Sequence, residues 1–246
     1  MDGPSGTSGS PAARPLRQRL ESLAAAGVSD LPGRRMRRAK TPPAGGTPAA
    51  VPAAVGDPGG RSELLRVLQV EVAGCGRCAG LARTRTQTVF GSGSPTARLC
   101  FLGEAPGADE DASGVPFVGR AGQLLTKIIE ACTLSRDEVY ILNVLKCRPP
   151  DNRTPSPEET ANCRGYFERQ LEIIAPEFIC CLGTTAAQAL LETDETIGKL
   201  RKRWFTWRSS QVICTYHPSY LLRNPAAKRD VWDDMKLLMA RLGVRL

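Results

Sequence analysis

The chain has 246 residues, 33 basic side chains (Lys, Arg) against 25 acidic ones, and a formal net charge of +8. That length suits one large domain or two small ones and can bury a sizeable core; a hydrophobic content of 41% with 5% aromatic is lean for a globular chain. Apolar runs of only a few residues exclude a transmembrane helix, and no basic segment leads into an apolar run as in a secretory leader, so a cytoplasmic location is expected. A pI near 9.2 favours a polyanion as partner, most simply nucleic acid.

Composition shifts near residue 60. The first sixty residues hold 10 of the 24 glycines and 9 of the 19 prolines, with no Phe, Trp or Tyr. Such a segment buries too little surface to offset its chain entropy. Residues 1–60 are therefore expected to form a disordered Pro/Gly-rich basic tail, and 61–246 the folded domain. Within the tail, Leu16, Leu20 and Leu23 give Arg17–Ala26 a helical spacing, and Arg34, Arg35, Arg37, Arg38 and Lys40 form a basic run suited to nonspecific phosphate contact.

From residue 61 the pattern alternates. Arg61–Val72 reads as a helix with Leu64, Leu65, Leu68 and Val72 on one face. Ala97–Leu102 reads as a buried strand, Ala121–Cys132 as a helix and Glu138–Val144 as a second strand. Pro157–Ile174 is a long helix with Ser156 as its cap and Pro157 at the first helical position. Phe178–Leu182 is a third strand, Thr184–Leu191 a helix, Gln211–Tyr216 a fourth strand and Ala227–Leu242 the last helix. Apolar strands alternating with helices predict a three-layer α/β/α fold around a central four-stranded, mainly parallel sheet. In such sheets ligands bind beyond the carboxyl ends of the strands.

Four segments then define the expected site: Gly103–Gly107, Asn143 with Lys146–Pro150, Gly183–Thr185, and His217–Ser219. His217 is the sole histidine; at a strand end, a neutral imidazole can donate a hydrogen bond to developing negative charge. The Asn143 amide both donates and accepts, which suits reading the edge of a base. Phe117, in a Gly/Pro-bounded loop, offers a face for stacking on a planar ligand or an anchor for the loop.

Nine cysteines, an odd number, argue against a disulfide framework. Cys100, Cys180, Cys181 and Cys214 fall within apolar strands and Cys132 at a helix end, as core residues do. Cys75-x2-Cys78 lies in a Gly-rich loop, Cys147 in a polar loop and Cys163 on the following helix. Four thiolates without a further histidine fit tetrahedral zinc or an iron–sulfur cluster, and spacing does not choose between them.

On these residues the chain resembles the family 4 uracil-DNA glycosylases, the iron–sulfur branch of that superfamily. The resemblance runs from about Leu64 to Leu242 through GEAPGADED (103–111), GVPFVGRAGQLL (114–125), NVLKCRPPDNRTPSPEE (143–159), CLGTTAA (181–187) and HPSYLLRNP (217–225), in the family's order. It implies a 4Fe-4S cluster on Cys75, Cys78, Cys147 and Cys163, and base excision repair by hydrolysis of the N-glycosidic bond of deoxyuridine in DNA. By position, Phe117 would stack on the flipped base, Asn143 would bond the uracil edge and reject cytosine, and His217 would stabilise charge on O2. Glu104 and Ala105 would line the pocket, and Glu110 would help place water. Ser219, Leu221, Leu222 and Arg223 would contact DNA, with a leucine or Arg223 filling the gap left by the base. Ala105 stands where the best-known branch carries an aspartate, so leaving-group stabilisation must dominate. The loop Arg148–Arg153 lacks the histidine of a related branch that traps DNA covalently, so turnover is expected. A nucleoid-associated monomer acting on single- or double-stranded uracil-DNA is expected, the alternatives being a non-catalytic, metal-stabilised reader of uracil or abasic sites, and an unrelated zinc hydrolase.

Overall fold

The computed structural model describes residues 58–245. The expected tail, its candidate helix Arg17–Ala26 and the basic run Arg34–Lys40 lie outside the described residues, except that Pro58, Gly59 and Gly60 already belong to the first helix. Proline has no amide hydrogen to lose and fits a first turn.

The chain order is α1 (Pro58–Ala73), α2 (Ala79–Thr84), β1 (Ser92–Gly93), β2 (Leu99–Gly103), α3 (Ala108–Ser113), α4 (Arg120–Ala131), β3 (Tyr140–Asn143), α5 (Pro157–Ile174), β4 (Phe178–Leu182), α6 (Thr184–Leu191), α7 (Ile197–Leu200), β5 (Trp204–Trp207), β6 (Ser210–Thr215), α8 (Pro218–Arg223) and α9 (Lys228–Leu242). Short 3-10 turns cover Pro150–Asn152 and Pro225–Ala227.

The sheet runs β1-β3-β2-β4-β6-β5. Its four central strands are the four read from sequence, and they pair in parallel. Two antiparallel edge strands extend the sheet to six. Both escape sequence reading for physical reasons. β1 is two residues long. β5, WFTW, has no fully buried position and hence no alternation to detect. Its hairpin to β6 turns through Arg208 and Ser209 between the paired Trp207 and Ser210, without the Asn-Gly signal such turns usually carry.

Strand side chains alternate between two apolar clusters. Cys100, Leu102, Tyr140, Leu142, Ile179, Cys181, Val212 and Cys214 join α1, α5, α6 and α7 on one face. Leu99, Phe101, Ile141, Phe178, Cys180, Leu182 and Ile213 join α4, α8 and α9 on the other. Both faces are covered, which explains why these strands read as continuous apolar runs. The five cysteines expected in the core, Cys100, Cys132, Cys180, Cys181 and Cys214, are all buried.

Helix α5 begins as its sequence predicts. The Ser156 hydroxyl accepts from the Glu159 amide at 3.2 Å, and the Glu159 carboxylate accepts from the Ser156 amide at 2.8 Å. This capping box aims the helix across the sheet. The chain steps from β2 to β3 on one side and returns past β2 to β4 on the other, so the direction of winding reverses beside β2. The crevice at the carboxyl ends of these strands is where an open α/β sheet holds its ligand.

Candidate active site and thiol centre

Gly103 and Asn143 are register partners at the ends of β2 and β3. The ladder continues beyond them: the Val144 amide donates to the Gly103 carbonyl and the Leu145 amide to the Glu104 carbonyl, each at 3.0 Å. A methyl group placed on Gly103 would lie 2.3 Å from Asn143 Oδ1 and 2.5 Å from Phe117 Cζ. Any larger residue there would collide with both, so glycine lets the amide and the ring converge on one point. Asn143 is buried, and its Oδ1 has no hydrogen-bond partner. A buried acceptor left unpaired is costly unless a ligand supplies the donor.

His217 follows β6 and caps α8. Its Nδ1 accepts from the Ser219 amide at 3.1 Å and lies 2.8 Å from the Ser219 hydroxyl. A ring nitrogen that accepts is unprotonated, so in the neutral ring the hydrogen sits on Nε2. Desolvation, reinforced by the Arg223 cation, pushes the imidazole pKa down to about 4 against a smaller opposing pull from Glu110. The ring is therefore a neutral donor near pH 7. It lies 5.6 Å from the Phe117 ring, tilted by 37°. Opposite, Gly183 holds φ +91°, and a side chain there would press on His217 Cβ at 3.0 Å.

Phe117 is buried and takes the left-handed conformation, φ +55°, which costs a non-glycine residue about 1–3 kcal/mol. Glu110 holds the loop that carries it. Its Oε1 accepts from the Val118 and Gly119 amides at 2.8 and 2.9 Å, and its Oε2 from the Gly107 amide at 3.0 Å. These bonds commit both carboxylate oxygens to the backbone. Gly122, on α4, leaves room for the Phe117 carbonyl group, which a side chain there would meet at 2.0 Å. Arg136 donates to the same loop from the turn before β3. Sequence reading missed this residue: it sits in a short polar turn with no motif around it.

Glu104 turns toward α6 and accepts a 2.6 Å hydrogen bond from the Thr185 hydroxyl, joining the segments after β2 and β4. Ala105 packs against the α5-side cluster. In α8, Leu222 is 38% exposed whereas Leu221 is 1% exposed and packs in the α9-side cluster. A six-residue helix buries one face, and Leu221, expected with Leu222 to contact DNA, lies on it. Ser219 is partly accessible, and Tyr220, Leu222 and Arg223 are the exposed side chains of α8.

Cys75, Cys78, Cys147 and Cys163 belong to one neighbourhood. Cys147 and Cys163 are buried in the α5-side cluster, and Cys75 and Cys78 pack against it. Arg85 donates to Cys147 Sγ at 3.0 Å and Asn162 to Cys78 Sγ at 3.6 Å. The Lys146 amide hydrogen-bonds the Cys163 sulfur, and each of Cys78, Cys147 and Cys163 feels the charge of its neighbours. As free thiols they resist ionisation: burial pushes Cys163 up to about 11 and raises Cys147 and Cys78. Among the described residues, no three His, Cys, Asp or Glu side chains are arranged to hold one metal ion. The donor set itself, four sulfurs of which three are approached by N–H groups, fits a metal that takes thiolates. Lys146, fully buried, spans the gap between the two regions: its Nζ donates to the Asn143 carbonyl at 2.8 Å and the Phe90 carbonyl at 3.2 Å.

The structure thus gathers Asn143, Phe117 and His217 around one point, with Glu110 and Arg136 behind the loop and the cysteine group beyond Lys146. A family profile for the Uracil DNA glycosylase superfamily matches residues 90–236. A type-4 uracil-DNA glycosylase of Thermotoga maritima is 44% identical over 180 residues, covering 72% of this chain and 93% of the relative. One of Archaeoglobus fulgidus is 43% identical over 176 residues, covering 68% and 87%. A type-5 uracil-DNA glycosylase of Pyrobaculum aerophilum is more distant, 32% identical over 146 residues and 52% of this chain. The chain belongs to the uracil DNA glycosylase superfamily and, within it, to the type-4 uracil-DNA glycosylases.

Proposed function

We propose that this chain flips uracil out of DNA and hydrolyses its N-glycosidic bond, releasing the base and leaving an abasic site. The observation that carries this reading is the unpaired Oδ1 of Asn143, buried beside the Phe117 ring. Uracil N3–H supplies the donor that atom lacks, and the amide Nδ2 donates to O4. Cytosine offers a bare N3 and an amino group, the opposite polarity, and would leave buried groups unpaired; such mismatches are rejected strongly. Phe117 stacks on the base. The Nε2–H of neutral His217 donates to O2 as negative charge builds on the leaving uracil. A neutral donor suits this role, because it holds the anion without surrendering its own proton.

With the charge on the leaving group held in place, the sugar passes through an oxocarbenium-like state that a weak nucleophile can meet. Ala105 cannot activate water. Glu110, whose oxygens already accept three backbone amides, acts by holding the stacking loop rather than as a base. Leu222 and Arg223 occupy the gap left by the extruded nucleotide.

Cys75, Cys78, Cys147 and Cys163 hold a 4Fe-4S cluster. Through it these four residues would tie the segment between α1 and α2 to α5 and to the loop after β3, a structural role apart from bond cleavage. The protein acts as a cytoplasmic, nucleoid-associated monomer on uracil in single- or double-stranded DNA, and it turns over rather than trapping its substrate. A labelled oligonucleotide with one uracil, followed by alkaline cleavage, tests the reading. Wild-type protein should cut at the uracil and His217→Ala should be greatly slowed; no cut by anaerobically prepared, cluster-loaded protein would sink the proposal.

A further inference from the structure

We propose that Arg136 is a positioning residue for excision, acting through Phe117: its guanidinium pins the stacking loop in the conformation that presents the ring to the base. The inference rests on the functional reading above. Nη1 donates to the Phe117 carbonyl at 3.0 Å and to the Thr126 hydroxyl at 3.3 Å, and Nη2 donates to the Pro116 carbonyl at 2.8 Å. Two successive peptide oxygens are thus held by one planar fork. From the other side, Glu110 takes the Val118 and Gly119 amides.

The peptide linking Phe117 to Val118 is therefore fixed at both ends, its oxygen by Arg136 and its N–H by Glu110. The peptide before Phe117 is fixed at its oxygen. Together these contacts set both backbone angles of a residue whose left-handed φ of +55° is otherwise disfavoured. The ring they aim lies against Gly103, beside the unpaired Asn143 Oδ1, and 5.6 Å from His217. Thr126 belongs to α4, so Arg136 also locks the loop to the helix that begins directly after it. Lysine could not reproduce the contact: it brings a charge but not two parallel N–H groups.

The test is a double-mutant cycle on single-turnover uracil excision, with Arg136→Met, Arg136→Lys, Phe117→Ala and the combined variants as cluster-loaded protein. Thermal melting and DNA binding are followed in parallel. Arg136→Met should slow excision by about ten- to a hundredfold, the scale of a misplaced reacting group. Arg136→Lys should recover part of the loss. On the Phe117→Ala background, Arg136→Met should change the rate by less than about twofold, because the path through the ring is already gone. A general structural role would instead multiply the Phe117→Ala loss by the full factor, and that result, or a wild-type rate in Arg136→Met, overturns the proposal. If Arg136→Met melts below the assay temperature, Arg136→Lys is compared on the two backgrounds in the same way. Absence of excision by the wild-type chain would mark failure of the functional reading instead.

Discussion

The cleft at the strand ends and the cysteine region come within four positions of each other in the chain, at Asn143 and Cys147, but they keep their shapes differently. The cleft is shaped by the protein's own bonds: a parallel ladder running past Gly103 and Asn143, a carboxylate and a guanidinium on the Phe117 loop, and an imidazole fixed by Ser219. The cysteine region draws on the α1–α2 segment, the loop after β3 and the body of α5, and burial holds the Cys147 and Cys163 thiols against ionisation. Burial disfavours the thiolate, so holding ionised sulfur here would call for a bound cation.

Removing groups from each region separates them most sharply. Asn143→Ala and His217→Ala should each lower the excision rate by about a hundred- to a thousandfold, the usual loss for one preorganised polar group, while circular dichroism and melting stay near wild type. Asn143 Oδ1 has no protein partner to lose. Cys147→Ser should do the converse: absorbance near 400 nm is lost and the melting temperature drops by about 5–10 °C, as expected when a buried metal tie worth a few kcal/mol goes. A variant that keeps the absorbance and the melting point would remove Cys147 from the metal site.

Helix α8 offers a smaller contrast between neighbours. Leu221→Ala should destabilise the fold by about 2–4 kcal/mol as a buried leucine is cut back, measured by denaturant unfolding. Leu222→Ala should leave stability within about 0.5 kcal/mol and weaken the hold on an abasic product instead. Equal destabilisation by both would contradict the packing of α8.

The finest distinction concerns charge. Because the chain has one histidine, its imidazole resonance can be followed by NMR without assignment. It should titrate near pH 4 rather than 6.5. The sign follows from linkage: the unfolded chain takes up the proton at higher pH than the folded one. The stability owed to the neutral ring is therefore full above about pH 6.5 and is lost as pH falls toward 4. Excision should show no acid limb from His217 between pH 5 and 8. A resonance titrating above 6 would mean the ring is charged near neutrality and the leaving-group argument needs revision.

Much of this was legible in the sequence, for definable reasons. Buried parallel strands read as apolar runs, so β2, β3, β4 and β6 were visible, and Ser156-Pro157 with Glu159 announced α5. Asn143 and His217 stood out because each ends such a run. What stayed hidden depends on contacts distant in sequence. Arg136 meets Phe117 across 19 residues, and nothing near it marks a partner. The burial of Leu221 and exposure of Leu222 come from the seating of α8, which a leucine pair cannot announce. Glu110 was found by resemblance, but its bonds to three backbone amides are visible only in three dimensions. The edge strands β1 and β5 lack the length or the alternation that periodicity needs.

The most direct test of the central claim is single-turnover cleavage of two oligonucleotides that differ only in uracil or cytosine at one position, using cluster-loaded wild type beside His217→Ala. The account predicts cleavage at uracil alone, followed by release of the protein, and a loss of about a hundredfold or more in the variant. Cleavage at cytosine, or an undiminished rate in His217→Ala, would contradict it.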